Sequence, residues 1–445
     1  MLGLVQSWFA PGSNPIGIDF GTDGLRMAQV EPADGEFRLV AAASAEVPAQ
    51  IRQDPTARLN FFTETIKDRL ASGNFRGRRA VLSLPAAACF IQHLRMPKLD
   101  EEELKKALPW EARGKLPIDP SHALLRHIVA GEVYQDSEQK LEVILLAAAR
   151  EMVNQLLAAA ARAKLDVVGM NVEPKALVDC FTQIYRRKTD GEATSCYVDI
   201  GCTGTRATIA RGSRVLFARG IPVGGDHFNR AVANAMKMSL EEAKVLRIKT
   251  CSLGATAPAA AAAPEAQQRQ VSQAAEAQSL EQAFPLLGAA MKAGGASASG
   301  SAGPAAATAT AVAPPPPPPA ADPVSAELME KARMVEYACR EPLAKLTEEL
   351  DLCRRYHEST FASMPIDRLV FVGGEARHRS LCQQIARTLS LAATVGDPLV
   401  RMGRTSDVGV ESGIDRRQPQ PSWAVAIGLS MGPADGGASE AKKKK

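Results

Sequence analysis

Along this chain the apolar positions fall into two rhythms. Short runs alternate with period two or are apolar throughout, as strands require, and longer ones repeat every three to four residues, as one face of a helix does. The stretch Pro15 to Val30 enters on an apolar, β-prone run, places Asp19 at its end, turns through glycines and polar residues, and leaves on alternating apolar positions. That is the pattern of strand, tight turn, strand. The same stretch is written again 180 residues later: Gly17-Ile18-Asp19-Phe20-Gly21-Thr22-Asp23-Gly24-Leu25-Arg26 returns as Tyr197-Val198-Asp199-Ile200-Gly201-Cys202-Thr203-Gly204-Thr205-Arg206. One Asp, two Gly and one Arg keep their places.

Around the two copies the rhythm switches repeatedly. Residues 36–47 continue the first sheet, and apolar residues at 59, 62, 66 and 70 share one helical face. Strands are predicted over 80–84, 90–96, 122–134 and 141–148, interrupted by a helix capped by Asp100, with Glu103 three residues on and acids in its first turn. Pro109 is expected to kink or end that helix, with Trp110 just beyond. Helices over 152–164 and 175–187 flank a strand over 167–172, with Glu173-Pro174 at the junction between that strand and the second helix. After the second hairpin come a strand over 215–223 and helices over 228–236 and from Ser239. Helical spacing over 325–361 places Val335, Leu343, Leu346, Leu350 and Leu352 in the core. A strand over 367–374 ends in Gly373-Gly374, a helix follows over 381–389, and an apolar helix at Trp423–Leu429 closes the fold.

One segment fits neither rhythm. From Cys251 to about Val324 the sequence reduces to Ala, Pro, Gly, Ser and Gln, with six consecutive prolines at 314–319. It cannot bury enough apolar surface to offset its ordering entropy and is expected to be a disordered spacer.

Composition narrows the function. At 445 residues, 46% hydrophobic and 23% charged, the chain supports two globular domains. Its formal charge of +4 comes from the terminal Lys442–Lys445, so the body is neutral and carries no broad nucleic-acid footprint. Eight scattered cysteines, with no C-x-x-C and no His cluster, read as reduced thiols of a cytosolic protein. Met1–Phe9 lacks the basic start of a signal sequence, Trp8 and Phe9 are expected to pack on the domain's flank, and no run reaches the roughly 18 apolar residues of a membrane helix.

The chemistry sits in the repeated turn. Glycine permits positive φ and close approach, and Thr22 and Thr203 add hydroxyls to exposed amide donors, which suits phosphate. The adjacent Asp repels phosphate unless a divalent cation lies between them, held through water as Mg²⁺ prefers.

A duplicated Asp-x-Gly hairpin followed by a late Gly-Gly strand resembles the actin-like ATPase and sugar-kinase superfamily. The resemblance implies an α/β, actin-like (ribonuclease H-like) two-domain fold binding ATP and Mg²⁺. It assigns Gly21, Thr22, Asp23, Gly201, Cys202, Thr203 and Gly204 to the phosphates, Asp19 and Asp199 to the metal, and Gly225, Lys244, Arg247, Gly373, Gly374 and Glu375 to the adenosine. Glu173 has two readings: ordering the Mg²⁺ shell or an attacking water, or an acid favoured by the helix dipole beside Pro174. Lys244 replaces the family's usual acid, and Glu375 either narrows the base pocket or points to solvent.

The run Phe90-Ile91-x-x-Leu94-x-Met96-Pro97-x-Leu99-x-x-Glu102-Glu103-Leu104, followed by Pro109-Trp110-Glu111-Ala112 and Leu116-Pro117, is similar to the inserted subdomain of the PilM family. That family is the cytosolic actin-like component of type IV pilus assembly, related to FtsA and GspL. The resemblance implies seven segments: first domain over 15–79 and 151–190, an inserted α+β partner-binding subdomain over 80–150, second domain over 191–250 and 325–431, the insertion 251–324 and a basic tail over 432–445. It implies a cytosolic scaffold, peripheral at the inner membrane, that holds the cytosolic N-terminal tail of a PilN-like bitopic membrane protein between the first subdomain and the insertion. Trp110 is the candidate anchor, against core packing as the alternative for a single Trp. Homo-oligomerisation is left open. Two other readings compete: a degenerate platform that hydrolyses nothing, supported by Lys244 and Glu375, and a small-molecule kinase. The kinase needs a positioned Asp or Glu beside an acceptor hydroxyl, and no such group stands outside the hairpins.

Overall fold

The computed structural model describes residues 14–33, 35–135, 138–254, 323–403 and 413–432. Trp8 and Phe9, the spacer from 255 to 322 and the Lys442–Lys445 tail lie outside the described residues.

The sequence repeat is a structural repeat. β1 (Ile16–Phe20), β2 (Gly24–Ala33), β3 (Glu36–Glu46) and β4 (Arg79–Leu84) form a sheet with β8 (Asp166–Val172) in the order β3-β2-β1-β4-β8. A second sheet, made of β9 (Thr194–Ile200), β10 (Thr205–Arg211), β11 (Arg214–Ile221), β12 (Arg368–Val372) and β13 (Ala392–Val395), has the order β11-β10-β9-β12-β13. In both, an antiparallel meander of three strands continues into two parallel strands. The third sheet, β5 (Cys89–Pro97), β7 (Glu138–Ala149) and β6 (Ala123–Gln135), is antiparallel and carries the helix Glu101–Glu111 on a core of Leu94, Met96, Leu104, Leu108, Val143 and Leu145.

Between the two five-stranded sheets lie the helices Glu173–Ile184 and Ala424–Met431, and one apolar core joins both sheets through Val30, Leu177, Phe181, Val370, Val372 and Ile427. The closing helix is buried from Ala424 to Ser430, which explains why its sequence shows no polar face. It crosses β1 and the first helix at backbone contact. A Cβ on Gly17 would lie 2.0 Å from the Ala426 carbonyl oxygen, and one on Gly428 2.0 Å from that of Ala176. Ser430 Oγ then ties the helix to β2, accepting from Val30 N at 3.0 Å and donating to the Pro15 carbonyl at 2.7 Å.

Two details differ from the sequence reading, and core packing of Trp110 is excluded. The helix runs two residues past Pro109 to Glu111. So close to the helix end, proline forfeits a single backbone bond, and the Asp100 capping box with three first-turn acids holds the other end. Trp110 is 67% exposed and outside any core, with the Arg113 guanidinium 4.1 Å from its ring centroid. The span from 323 to 360 is two helices, Pro323–Ala338 and Arg340–Thr360, and Leu352, expected in the core, is exposed while Leu346 and Leu350 are buried.

Candidate functional site

The two hairpins face one another across the cleft between the sheets. In each, the first glycine's amide donates to the second glycine's carbonyl at 2.9 Å, Gly21 to Gly24 and Gly201 to Gly204. Each Asp also pairs in register with its Arg: Asp19 with Arg26 on β1–β2, Asp199 with Arg206 on β9–β10. The tips meet, with Thr22 Oγ1 and Thr203 Oγ1 3.3 Å apart. Spacing in the sequence thus reappears as a near two-fold arrangement of carboxylates, guanidiniums and amide donors.

The carboxylates make this region electrostatically unusual. Burial, the neighbouring Asp19 and, less strongly, Asp23 push the Asp199 carboxyl up to about 7, although Arg26 works against them. Asp19 is raised as well, chiefly by burial, with Arg26 and the Ser83 hydroxyl opposing. Ser83 Oγ donates to Asp19 Oδ1 at 3.1 Å and accepts from Phe20 N at 3.0 Å, so the end of β4 fixes the carboxylate's direction. Burial lowers the Arg206 guanidinium to about 10. Its side chain is ion-paired with Glu173, which is buried in the first turn of its helix. Cys202, in the second turn, has its thiol raised by burial and by Asp23 and Asp226, which makes it a poor nucleophile.

The hairpins divide the cleft into two chambers. One, of about 650 Å³, is lined by Asp23, Gly201, Gly225, Lys244, Arg247 and Glu375 among others. Here Glu375 points inward rather than to solvent. Its carboxylate pairs with Arg247 and lies 3.3 Å from His378 Nε2, and a Cβ on Gly225 would collide with it. Arg247 is buried, donating to the Gly225 carbonyl at 2.9 Å and to Asn229. The other chamber, of about 750 Å³, brings Asp19, Thr22, Glu173 and Gly373 together with Leu59 and Phe62 of the helix Pro55–Ser72, Ala86 and Ala88 at the root of the insertion, and Met152 of the helix Arg150–Arg162. Gly374 lines both. Trp110 lines neither. Sequence reasoning missed Ser83, Asp226, Asn229 and His378 as site residues; Ser83 and Asn229 enter through contacts distant in sequence, with Asp19 and Arg247, and His378 through a Glu375 that is itself held by Arg247. Arg26 and Arg206 were visible as repeated letters without a role.

The family model of the type IV pilus assembly protein PilM matches residues 17–256. The chain belongs to the PilM family. The model of the cell division protein FtsA matches residues 196–428, so the second half of this PilM family member is also similar to that protein. Among curated proteins no match was found. A solved PilM-PilN type IV pilus biogenesis complex is similar over 94% of this chain and 98% of the solved one, at 19% identity and a TM-score of 0.65. The ethanolamine utilization protein EutJ from Carboxydothermus hydrogenoformans follows at 13% identity and a TM-score of 0.43, over 95% of this chain and 90% of its own. The fold is therefore the two-domain α/β actin-like fold with an inserted α+β subdomain, and the chain is an actin-like protein of type IV pilus assembly.

Proposed function

We propose that this PilM family member is a Mg²⁺-ATP-binding scaffold, cytoplasmic and peripheral at the inner membrane, whose nucleotide state is read by the cytosolic tail of a PilN-like membrane partner. The observation that carries it is the pair of hairpins in identical register, with Asp19 and Asp199 close enough for the one to raise the other and the turn tips meeting at Thr22 and Thr203. Burial raises both carboxyls, and Asp19 raises Asp199 further, so a divalent cation between them and the phosphates would offset the cost of keeping both ionised. Among the described residues no group of three His, Cys, Asp or Glu forms a direct metal cage, which suits Mg²⁺, an ion that keeps most of its water and takes the rest of its shell from phosphate. When bound, the ion supplies charge neutralisation between the phosphates and Asp19 and Asp199. The turns 21–24 and 201–204 hold phosphate oxygens, and the chamber with Lys244, Arg247 and Glu375 holds the adenosine.

The second chamber suits the partner's tail. It lies between the first subdomain's helices and the root of the insertion, its walls there mix Leu59, Phe62, Ala86 and Met152 with Gln53, Arg58 and Gln155, and its inner end is formed by both hairpins, so a tail in its outer part would adjoin the phosphates. Titrating the synthetic cytosolic tail of the membrane protein encoded next to this chain tests the reading. Wild type should bind it, and Ala86→Glu, an exposed position on the chamber wall, should weaken binding about tenfold or more without changing the ATP-dependent rise in melting temperature. Equal affinity in both proteins would remove the tail from this chamber.

One observation favours the nucleotide-free alternative: the Glu375–Arg247 pair stands in the adenosine chamber. An absent melting shift at millimolar Mg²⁺-ATP would select it.

A further inference from the structure

A third cavity, of about 610 Å³, opens behind the second sheet, between the helix Arg379–Leu389 and the segment 418–421. Its floor is Phe371 of β12 and Ala393 and Val395 of β13. Three arginines, Arg377, Arg379 and Arg387, stand on it, and no carboxylate is among its lining residues. It meets the adenosine chamber only at Arg377, Arg379 and Gln418.

β13 is the edge strand of its sheet, and residues 392–394 are exposed. Edge strands are commonly guarded by a charge, a proline or a bulge. Ala392-Ala393-Thr394-Val395 has none of these, and its pairing with β12 is regular. The stretch 404–412 outside the described residues does not begin or end here: Gly403 bridges to Arg38 and Gly413 lies against Ser44, both on β3 of the first domain.

We propose that this edge and groove form a docking site for an extended, acidic segment of a partner protein that adds a strand to β13. The spacing of the arginines sets the ligand's pattern. Arg379 and Arg387 are eight residues apart on one helix face, about 12 Å at 1.5 Å per residue. In an extended segment, residues i and i+4 are about 13 Å apart and share a face, with i+2 between them. The ligand therefore carries acids at i and i+4 and a small apolar residue at i+2, above Val395 and Phe371. Main-chain hydrogen bonds to β13 supply affinity and the arginines supply selectivity, as in other strand-addition complexes. This site is separate from the tail chamber beside the insertion.

The test uses the full-length chain and a fluorescein-labelled heptapeptide with glutamate at its second and sixth positions, valine at the fourth and threonine between. Wild type should bind it about tenfold more tightly than a lysine-for-glutamate counterpart at low salt, with the difference shrinking as salt rises. The double variant Gln383→Glu with Arg387→Glu, two exposed positions of the groove, should reverse the preference while still melting cooperatively. N-methylation of the amides on one edge of the peptide should abolish binding. Equal affinity for both peptides, an unchanged preference in the variant, or full binding by both possible N-methylated peptides would overturn the proposal. So would complete displacement by millimolar inorganic phosphate, which would mark a simple anion site, or burial of the groove in a dimer by sedimentation.

Discussion

Tyr356 donates its hydroxyl to Glu142 Oε1 at 2.6 Å, and through that bond the inserted subdomain is fastened to the second domain. Glu142 sits on β7 with no exposed surface and also meets His93 Nδ1 at 2.9 Å, while the His93 ring stacks on Phe217 of β11, 4.6 Å between centroids. Burial works against the charge on Glu142, but the hydrogen bonds from His93 and Tyr356, with Arg95 nearby, outweigh it and hold the carboxyl below its ordinary value. The insertion is thus tied to both domains, by chain connection to the first and by this cluster to the second. Removing the hydroxyl leaves a buried carboxylate one donor short. Tyr356→Phe should cost about 1.5–3 kcal/mol in urea unfolding, since hydrogen bonds to charged groups lie in that range. A change under about 0.5 kcal/mol would show that the cluster is not a fastening.

The pH dependence of the cleft has the opposite sign. The folded-state value for Asp199, about 7, is above its unfolded value near 3.8, so its ionised form is disfavoured by folding. The cost is fully present above pH 7 and is relieved as pH falls from 7 toward 4. Asp199→Asn should therefore stabilise the nucleotide-free protein at pH 8, and the gain should shrink by on the order of 2 kcal/mol at pH 5. Protons and Mg²⁺ compete for the same carboxylates, so Mg²⁺-ATP affinity should also fall below pH 7. Calorimetry at pH 6 and pH 8 reads this directly.

The legible part of this fold was whatever repeats locally. The two hairpins, their aspartates and the Asp100 capping box are patterns of neighbouring residues, and each is found where the pattern puts it. Partners far apart in sequence were not legible. Nothing near Glu173 announces Arg206, nothing near Glu375 announces Arg247, and Ser83 looks like one polar letter in an apolar strand. Leu352 failed for a geometric reason: it is two residues past the buried Leu350, about 200° around the helix, and therefore on the opposite side. For Trp110 the sequence left anchor and core packing both open, because exposure of a single aromatic depends on which helix face the third sheet covers; Leu104 and Leu108 fill that face and leave Trp110 outside.

The crossing of the closing helix with its neighbours allows no added atom. A methyl on Gly428 would meet a backbone carbonyl, which cannot rotate away as a side chain can. Gly428→Ala should separate the helix from Ala176 and cost about 3 kcal/mol, the upper end of the overpacking range. Gly169→Ala is the control, because a Cβ there finds only ordinary contact with Val81, at 3.7 Å. Comparable losses in the two variants would mean that glycine matters here for chain flexibility and not for close approach.

The rim of the cleft is bridged a second time, away from the hairpin tips. Arg52 Nη1 is 3.5 Å from Glu241 Oε1, joining the first domain to the helix Leu240–Gly254 of the second. Arg52 is buried and also donates through Nε to the Val47 carbonyl at 3.1 Å, whereas the Glu241 side chain is 54% exposed. The geometry is long and half in solvent, so the pair is worth at most about 1 kcal/mol. If it helps hold the cleft closed over nucleotide, Glu241→Gln should raise the dissociation rate of a fluorescent ATP analogue by no more than about fivefold, with the association rate little changed. Raising salt should reproduce part of the effect in wild type and none in the variant. Arg52→Ala should do more than Glu241→Gln, because it also releases the Val47 carbonyl at the end of β3. A dissociation rate indifferent to both substitutions would show that the Thr22–Thr203 contact and the bound nucleotide close the cleft without this bridge.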